Sequence, residues 1–465
     1  MPRIANSKLS AMKLPESRSS ITYTKPASDI FRLKEQLRLY GVSADDKTWE
    51  QEIYHRDWDF ADADTKIETH CFHSYPAMMI PQIARELINM YGKKGKVLLD
   101  PFCGSGTALV EARIAGLNSW GIDVNPLAIF LSKVKTTPLN PMLLKKHALS
   151  LWEKYEEDTY AIDTGKDYFE PPSFFNIDYW FSTKVSKKLI ALRNRIESIK
   201  DPNIRDFFFV SFSETVREVS NTRNDEFKLY RIPDIQLNNF NPEVFRIFFE
   251  KVYRNIHGMS SFFHKCNNKV WCKVIDDDMR LKTKIPEGSI QVIVTSPPYG
   301  DSRTTVAYGQ FSRLSLQWMG FDWEMIKKID TVSLGGKAIP INADCFDSKI
   351  LKRIIYGIER EDPKRAKDVY SFYSDMYKCF EEIKRVCEKG AFVCMVVGNR
   401  TVKGIQIPTD RIFVDFGESK GFNHLKTMTR NIPNKRMPYK NSPTNIKGEL
   451  GNTMNKEHII ILQKR

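Results

Sequence analysis

Two kinds of apolar pattern alternate along the chain. Continuous apolar runs bounded by turn formers, at residues 97–100, 119–123, 271–275, 290–294, 390–397 and 458–462, predict buried strands. Apolar residues at helical spacing predict helices at 80–90, 108–112, 189–199, 242–252, 370–386 and 408–416. This alternation is the signature of a doubly wound, mostly parallel α/β sheet. Two stretches interrupt it. Residues 138–265 separate the second strand from the third and far exceed an ordinary connection. Their aromatic first half and helical spacing predict a separate, mainly helical inserted subdomain. Residues 328–369 are largely polar and read as a variable excursion. Residues 1–28 are rich in Ser, Lys and Arg and read as an arm, followed by helical spacing at 30–40. The expected organisation is an arm and helix (1–69), one half of the sheet domain (70–137), the insertion (138–265) and the other half (266–465).

The candidate chemistry sits where strands stop. The 290–294 run leads into Thr295-Ser296-Pro297-Pro298-Tyr299-Gly300. Two prolines cannot continue a sheet, so Ser296 and Tyr299 are displayed at a strand's carboxyl end, beside the crevice where open α/β sheets bind ligands. A small polar group, a rigid kink and an aromatic face suit a flat, amine-bearing ring. The 97–100 run enters Asp100-Pro101-Phe102-Cys103-Gly104-Ser105-Gly106-Thr107 and then a helix. Its glycines let the backbone pass close to a ligand, and the helix start offers free N–H groups. The next strand ends in Asp123, about 20 residues later, where nucleotide folds hold ribose hydroxyls. A further strand ends in Asp276-Asp277-Asp278.

Together, Asp-Pro-Phe-Cys-Gly-Ser-Gly-Thr (100–107) and Thr-Ser-Pro-Pro-Tyr-Gly (295–300) resemble the S-adenosylmethionine-dependent amino-methyltransferases of DNA. The Ser-Pro-Pro-Tyr form is most similar to the cytosine-N4 group of restriction–modification systems; adenine-N6 enzymes more often carry Asp or Asn at the place of Ser296. His73-Ser74-Tyr75-Pro76-Ala77 resembles the segment beside the cofactor's methionine end, with Met78 where members commonly carry Lys. The resemblance implies a seven-stranded sheet, S-adenosylmethionine as cofactor, and a base flipped out of duplex DNA. It implies cofactor contacts from Tyr75, Pro76, Asp100, Pro101, Phe102, Gly104, Gly106, Thr107 and Asp123, and from Asp278 or one of its acidic neighbours near the adenine or amine. Ser296, Pro297, Pro298 and Tyr299 become the catalytic set. It also implies that the final strand is an antiparallel edge hairpin partner.

Composition adjusts this reading. The formal charge of +14 suits a polyanion and equally an ordinary basic enzyme. Candidate DNA contacts are Arg217, Asn221 and Arg223 in the insertion, Arg303 after the catalytic motif, Arg400 at a strand end, and Lys435 and Arg436 in a basic tail string that also holds Arg430. The insertion's polar string suits target recognition or, alternatively, a structural lid. Eight cysteines include no CxxC pair, so neither a disulfide framework nor a metal site is expected. No apolar run nears the ~20 residues of a membrane span, and no leader is evident; an intracellular bacterial or archaeal protein is expected, with double-stranded DNA and a possible cognate restriction endonuclease as partners. Adenine-N6 methylation of DNA and guanine-N2 methylation of RNA are the competing activities.

Overall fold

The computed structural model describes residues 57–167, 169–223, 227–302, 304–433, 440–441, 451–452 and 454–465. The arm and helix expected before residue 57 lie outside the described residues, as do Tyr168, Arg303, Lys435 and Arg436.

Seven strands form one sheet: β1 (Val97–Asp100), β2 (Asn118–Asp123), β3 (Cys272–Asp276), β4 (Ile290–Thr295), β5 (Cys387–Gly398), β6 (Phe422–Asn431) and β7 (Lys456–Lys464). Their order is β3-β2-β1-β4-β5-β7-β6. The pairs among β1 to β5 are parallel, whereas β7 runs antiparallel to both β5 and β6. The final strand is therefore internal, and β6 forms the edge. Every residue of β4 is buried, as a central strand covered on both faces requires. The strand order reverses between β1 and β4, and that switch point opens the crevice.

The helices alternate with the strands as their spacing requires. In the first half, α1 (Pro81–Tyr91) precedes β1, α2 (Thr107–Ala115) follows the glycine turn, and α3 (Pro126–Thr136) follows β2. Pro126 stands in the first turn of α3, and Asn125 caps it by accepting from the Leu127 N–H. The long connection is helical: α4 (Pro141–Asp163), α5 (Thr183–Glu197), α6 (Pro202–Val219) and α7 (Val244–Lys265). These helices do not close on a core of their own. Phe207, Phe212 and Val216 of α6 share one apolar cluster with Leu127 and Leu131 of α3, and with Trp318 at the end of α8 (Tyr308–Trp318). Phe174, Phe181 and Phe212 meet the Trp318 ring edge-on. The helix that follows the Ser-Pro-Pro-Tyr motif is thus wedged into the insertion.

Helix α9 (Trp323–Val332) follows α8 and adds Ile326 and Ile329 to that same cluster, whereas the other face of the sheet carries α10 (Lys349–Glu361), α11 (Pro363–Val386) and α12 (Thr409–Ser419). The stretch read as a polar excursion contains α10. Its buried residues Leu351, Ile355 and Ile358 recur every three or four positions and join the cluster of α11 and α12 beneath the sheet.

A buried polar knot ties α1, α2 and α7 together. Arg85 of α1 donates to both oxygens of Glu111 in α2, His70 bonds the same carboxylate, and Lys265 of α7 pairs with Glu68. Glu68, His70 and Glu111 lie close enough to suggest a metal site, but two cationic side chains already neutralise the carboxylates. All eight cysteines are free thiols. Among the described residues, no helix is long and apolar enough to cross a membrane.

Candidate active site

β1 and β4 are neighbours with Leu99 opposite Ile293, so both motifs emerge side by side at the carboxyl ends of adjacent strands. Thr295 Oγ1 donates to Asp100 Oδ1 at 2.7 Å, clamping one motif to the other. A single cavity is lined by Tyr75, Pro76, Asp100, Pro101, Phe102, Gly104, Thr107, Asp123 and Asp278 on one side and by Ser296 and Pro298 on the other. The expected cofactor residues converge there with one exception. Gly106 stands behind the turn, where φ is +82° and an added Cβ would lie 2.9 Å from Ser132 Oγ. The position needs glycine for close packing against α3. Ser132 in turn donates to the Gly104 carbonyl at 2.7 Å, and Asp123 Oδ2 accepts from the Gly104 N–H at 2.9 Å. The acid that ends β2 therefore shapes the turn as well as facing the cavity.

The cavity is acidic. Burial pushes the Asp100 carboxyl up to about 7, against the Thr295 hydroxyl and the Phe102 N–H that favour its ionised form. Burial likewise raises Asp123 to about 6. Two buried carboxyls held above the usual carboxylate range suit a cationic ligand, and the one guanidinium among the described lining residues, Arg280, is engaged by Asp278 and Asp375. Asp278 reaches the cavity wall too, but Arg280 grips both its oxygens, and that guanidinium also pairs with Asp375 at 2.9 Å. Asp277 lines the cavity beside it, whereas Asp276 does not.

Other wall residues carried no motif. Tyr308 stacks on Tyr75 with ring centroids 5.9 Å apart, and Asn125 donates to the Tyr75 hydroxyl at 3.1 Å. Ser302 and Leu334 complete that side. Aromatic residues flanking a polar loop, as Tyr308 does after Ala307, were the only available signal.

Pro297 and Tyr299 are not among the residues that line this cavity. Tyr299 lies against Gly398 at the end of β5, where an added Cβ would come within 2.8 Å of the ring. Its hydroxyl donates to Glu457 Oε1 at 2.9 Å and lies 3.2 Å from Ser296 Oγ.

The proposed DNA contacts fare unevenly. Arg217 is 6% exposed, with its guanidinium over the Phe311 ring at 4.3 Å and donating to the Phe311 carbonyl. Burial lowers its pKa to about 10. It packs α6 against α8 and presents no surface for a phosphate, which corrects the sequence expectation. Asn221 is half-buried and spends its side-chain amide on the Tyr179 carbonyl at 3.1 Å. Arg223 is exposed. Arg400 is an inner residue whose guanidinium pairs with buried Asp301 at 3.1 Å, under the loop that follows Tyr299. Arg430, read as part of a basic surface string, is buried in β6 and paired with Glu457.

The chain is 42% identical over 421 residues to the type II methyltransferase M.MvaI of Kocuria varians, covering 87% of this chain and 93% of that protein. The chain belongs to the type II DNA methyltransferases of restriction–modification systems. Residues 9–133 also match the N6/N4 DNA methylase family. The type II methyltransferase M.BsoBI of Geobacillus stearothermophilus is 22% identical over 457 residues, with 87% of each chain covered. The tRNA (guanine(10)-N2)-dimethyltransferase of Methanothermobacter thermautotrophicus is 44% identical, but over only 52 residues, 11% of this chain and 16% of that one. The methyl donor of this DNA methyltransferase is S-adenosylmethionine, and DNA is its substrate. The site suits that donor, because two reluctant carboxyls beside a glycine turn answer a molecule bearing a sulfonium, an ammonium and a ribose.

Proposed function

We propose that the enzyme methylates the exocyclic N4 of a cytosine extruded from duplex DNA, as the modification partner of a cognate restriction endonuclease. The single observation that carries the base assignment is Ser296, a neutral hydroxyl, on the cavity wall where a carboxylate or amide would serve adenine enzymes more often. Bound S-adenosylmethionine supplies an electrophilic methyl group on a positive sulfur. Tyr75, Pro76, the 100–107 turn, Asp123 and the Asp277–Asp278 wall would hold it.

The chain's task is then mainly alignment. The cytosine amine is a poor nucleophile because its lone pair is delocalised into the ring. Extrusion costs a few kcal/mol and exposes both faces of the base. Tyr299 offers a face for stacking. The Ser296 hydroxyl and the Pro297 carbonyl accept the amine hydrogens, which favours a pyramidal nitrogen and aims its lone pair. Well-oriented reactants gain up to about 7–11 kcal/mol over free encounter, so alignment supplies much of the acceleration. No side chain need act as nucleophile; Cys103 is buried, with its thiol pushed far up by burial, and packs the turn against Ser132.

Arg223 and the basic tail around Lys435 and Arg436 are proposed as the DNA-contacting groups, with residues 138–265 contributing to target choice. The guanine-N2 reading has support over only 52 residues. The test is to express the chain, digest host DNA to nucleosides and identify the modified one by mass spectrometry. N4-methylcytosine is expected. N6-methyladenine would overturn the base assignment and leave the rest standing.

A further inference from the structure

Tyr299 is anchored from a direction that the catalytic motif does not predict. Glu457, at the start of β7, accepts the Tyr299 hydroxyl at 2.9 Å on one oxygen. Its other oxygen pairs with Arg430, which is 5% exposed and also donates to the carbonyls of Trp58 and Asp59 at 2.9 and 3.0 Å. Each carboxylate oxygen is thus held by one partner, Tyr299 on one and Arg430 on the other, and Arg430 is itself anchored on the backbone at Trp58 and Asp59. Its acceptor-only character dictates where the protons sit. An ionised carboxylate can only accept, so the single Tyr299 proton points to Glu457. The Tyr299 oxygen is then an acceptor toward Ser296 Oγ, 3.2 Å away, so the Ser296 proton points to Tyr299. The lone pairs of Ser296 are left for the cavity that Ser296 lines.

We propose that Glu457 is a positioning residue that, through Tyr299, holds Ser296 as an acceptor for the target amine. This deepens the amine-methylation reading and rests on it. Without the carboxylate, the Tyr299 proton is free to turn to Ser296, whose own proton can then face the amine lone pair. That arrangement competes with the methyl group for the same electrons. The relay also places Tyr299 at a fixed distance from Ser296, which a base-stacking ring needs.

The test compares Glu457→Gln, Tyr299→Phe and the double variant in single-turnover and steady-state assays with duplex DNA, with the product nucleoside identified each time. Glu457→Gln keeps the shape, but Arg430 attracts the amide oxygen and turns the NH₂ toward Tyr299. Each single variant is expected to lower the single-turnover rate by roughly 10- to 100-fold, the scale of one mis-set polar contact to the reacting group, with KM for DNA changed by less than about threefold. The double variant should be no worse than the poorer single one, because both cut the same relay. Should Glu457→Gln unfold the protein by unpairing Arg430, Tyr299→Phe, which leaves that ion pair intact, decides alone. A folded Glu457→Gln or Tyr299→Phe variant with a wild-type rate, or multiplicative losses in the double variant, overturns the relay. A product of N6-methyladenine with the same dependence overturns the cytosine reading and leaves the relay.

Discussion

Donor binding should be strongly pH-dependent, and the direction follows from the cavity carboxyls. Asp100 and Asp123 titrate at about 7 and about 6 because burial penalises their charged forms. A cationic donor favours those charged forms, so its binding expels protons and strengthens as pH rises. Going from about pH 8 to about pH 6 reduces ionised Asp100 roughly tenfold and ionised Asp123 roughly twofold. Affinity for S-adenosylmethionine should therefore fall ~20-fold, or about 1.8 kcal/mol at 1.36 kcal/mol per decade. Isothermal titration calorimetry in phosphate and in Tris measures both the affinity and the released protons. Asp100→Asn should reduce the pH span to roughly the twofold share of Asp123. In the unliganded protein the same raised values act oppositely. The unfolded chain binds fewer protons between about pH 4 and pH 7, so these two groups lower stability as pH rises through that window. An affinity constant within about twofold from pH 6 to pH 8, with identical heats in both buffers, would refute the reasoning.

Three further outcomes are expected. Gly106→Ala places a side chain at φ +82° with Cβ 2.9 Å from Ser132 Oγ; it should cost about 1–3 kcal/mol, read as a lower melting temperature and weaker donor binding. Tyr299→Ala should abolish detectable methyl transfer while leaving donor affinity within about threefold, because the ring does not line the cavity proposed for the donor. Arg217→Met should lower thermal stability by about 1–2 kcal/mol by losing its place over Phe311, whereas Arg223→Ala should reduce the salt dependence of DNA binding by roughly one phosphate contact.

The parts legible in the sequence are those whose physics is local. A continuous apolar run followed by Pro-Pro or by a glycine turn states where a strand stops, and Leu99 and Ile293 then align the two stops. What escaped depends on partners distant in the chain. Arg217 and Arg430 look like surface charge until Phe311, Glu457, Trp58 and Asp59 are brought to them by folding. Asp278 could be placed near the cavity and Arg280 stands only two residues on, but what fixes that guanidinium, Asp375, is distant in the chain. The helix α10 is a different case, for the spacing of Leu351, Ile355 and Ile358 was present and was masked by the charges around it. The insertion's helices were foreseeable, while their shared core with α3 and α8 was not, since an apolar helix face does not name what covers it.

The account stands on one cavity delivering a methyl group to a cytosine amine. The most direct measurement uses purified protein, duplex DNA and S-adenosylmethionine labelled in the methyl group, followed by digestion and identification of the labelled nucleoside. The label is predicted in N4-methylcytosine and nowhere else, and absent with Tyr299→Ala. Label in N6-methyladenine, or an undiminished signal from Tyr299→Ala, would contradict it.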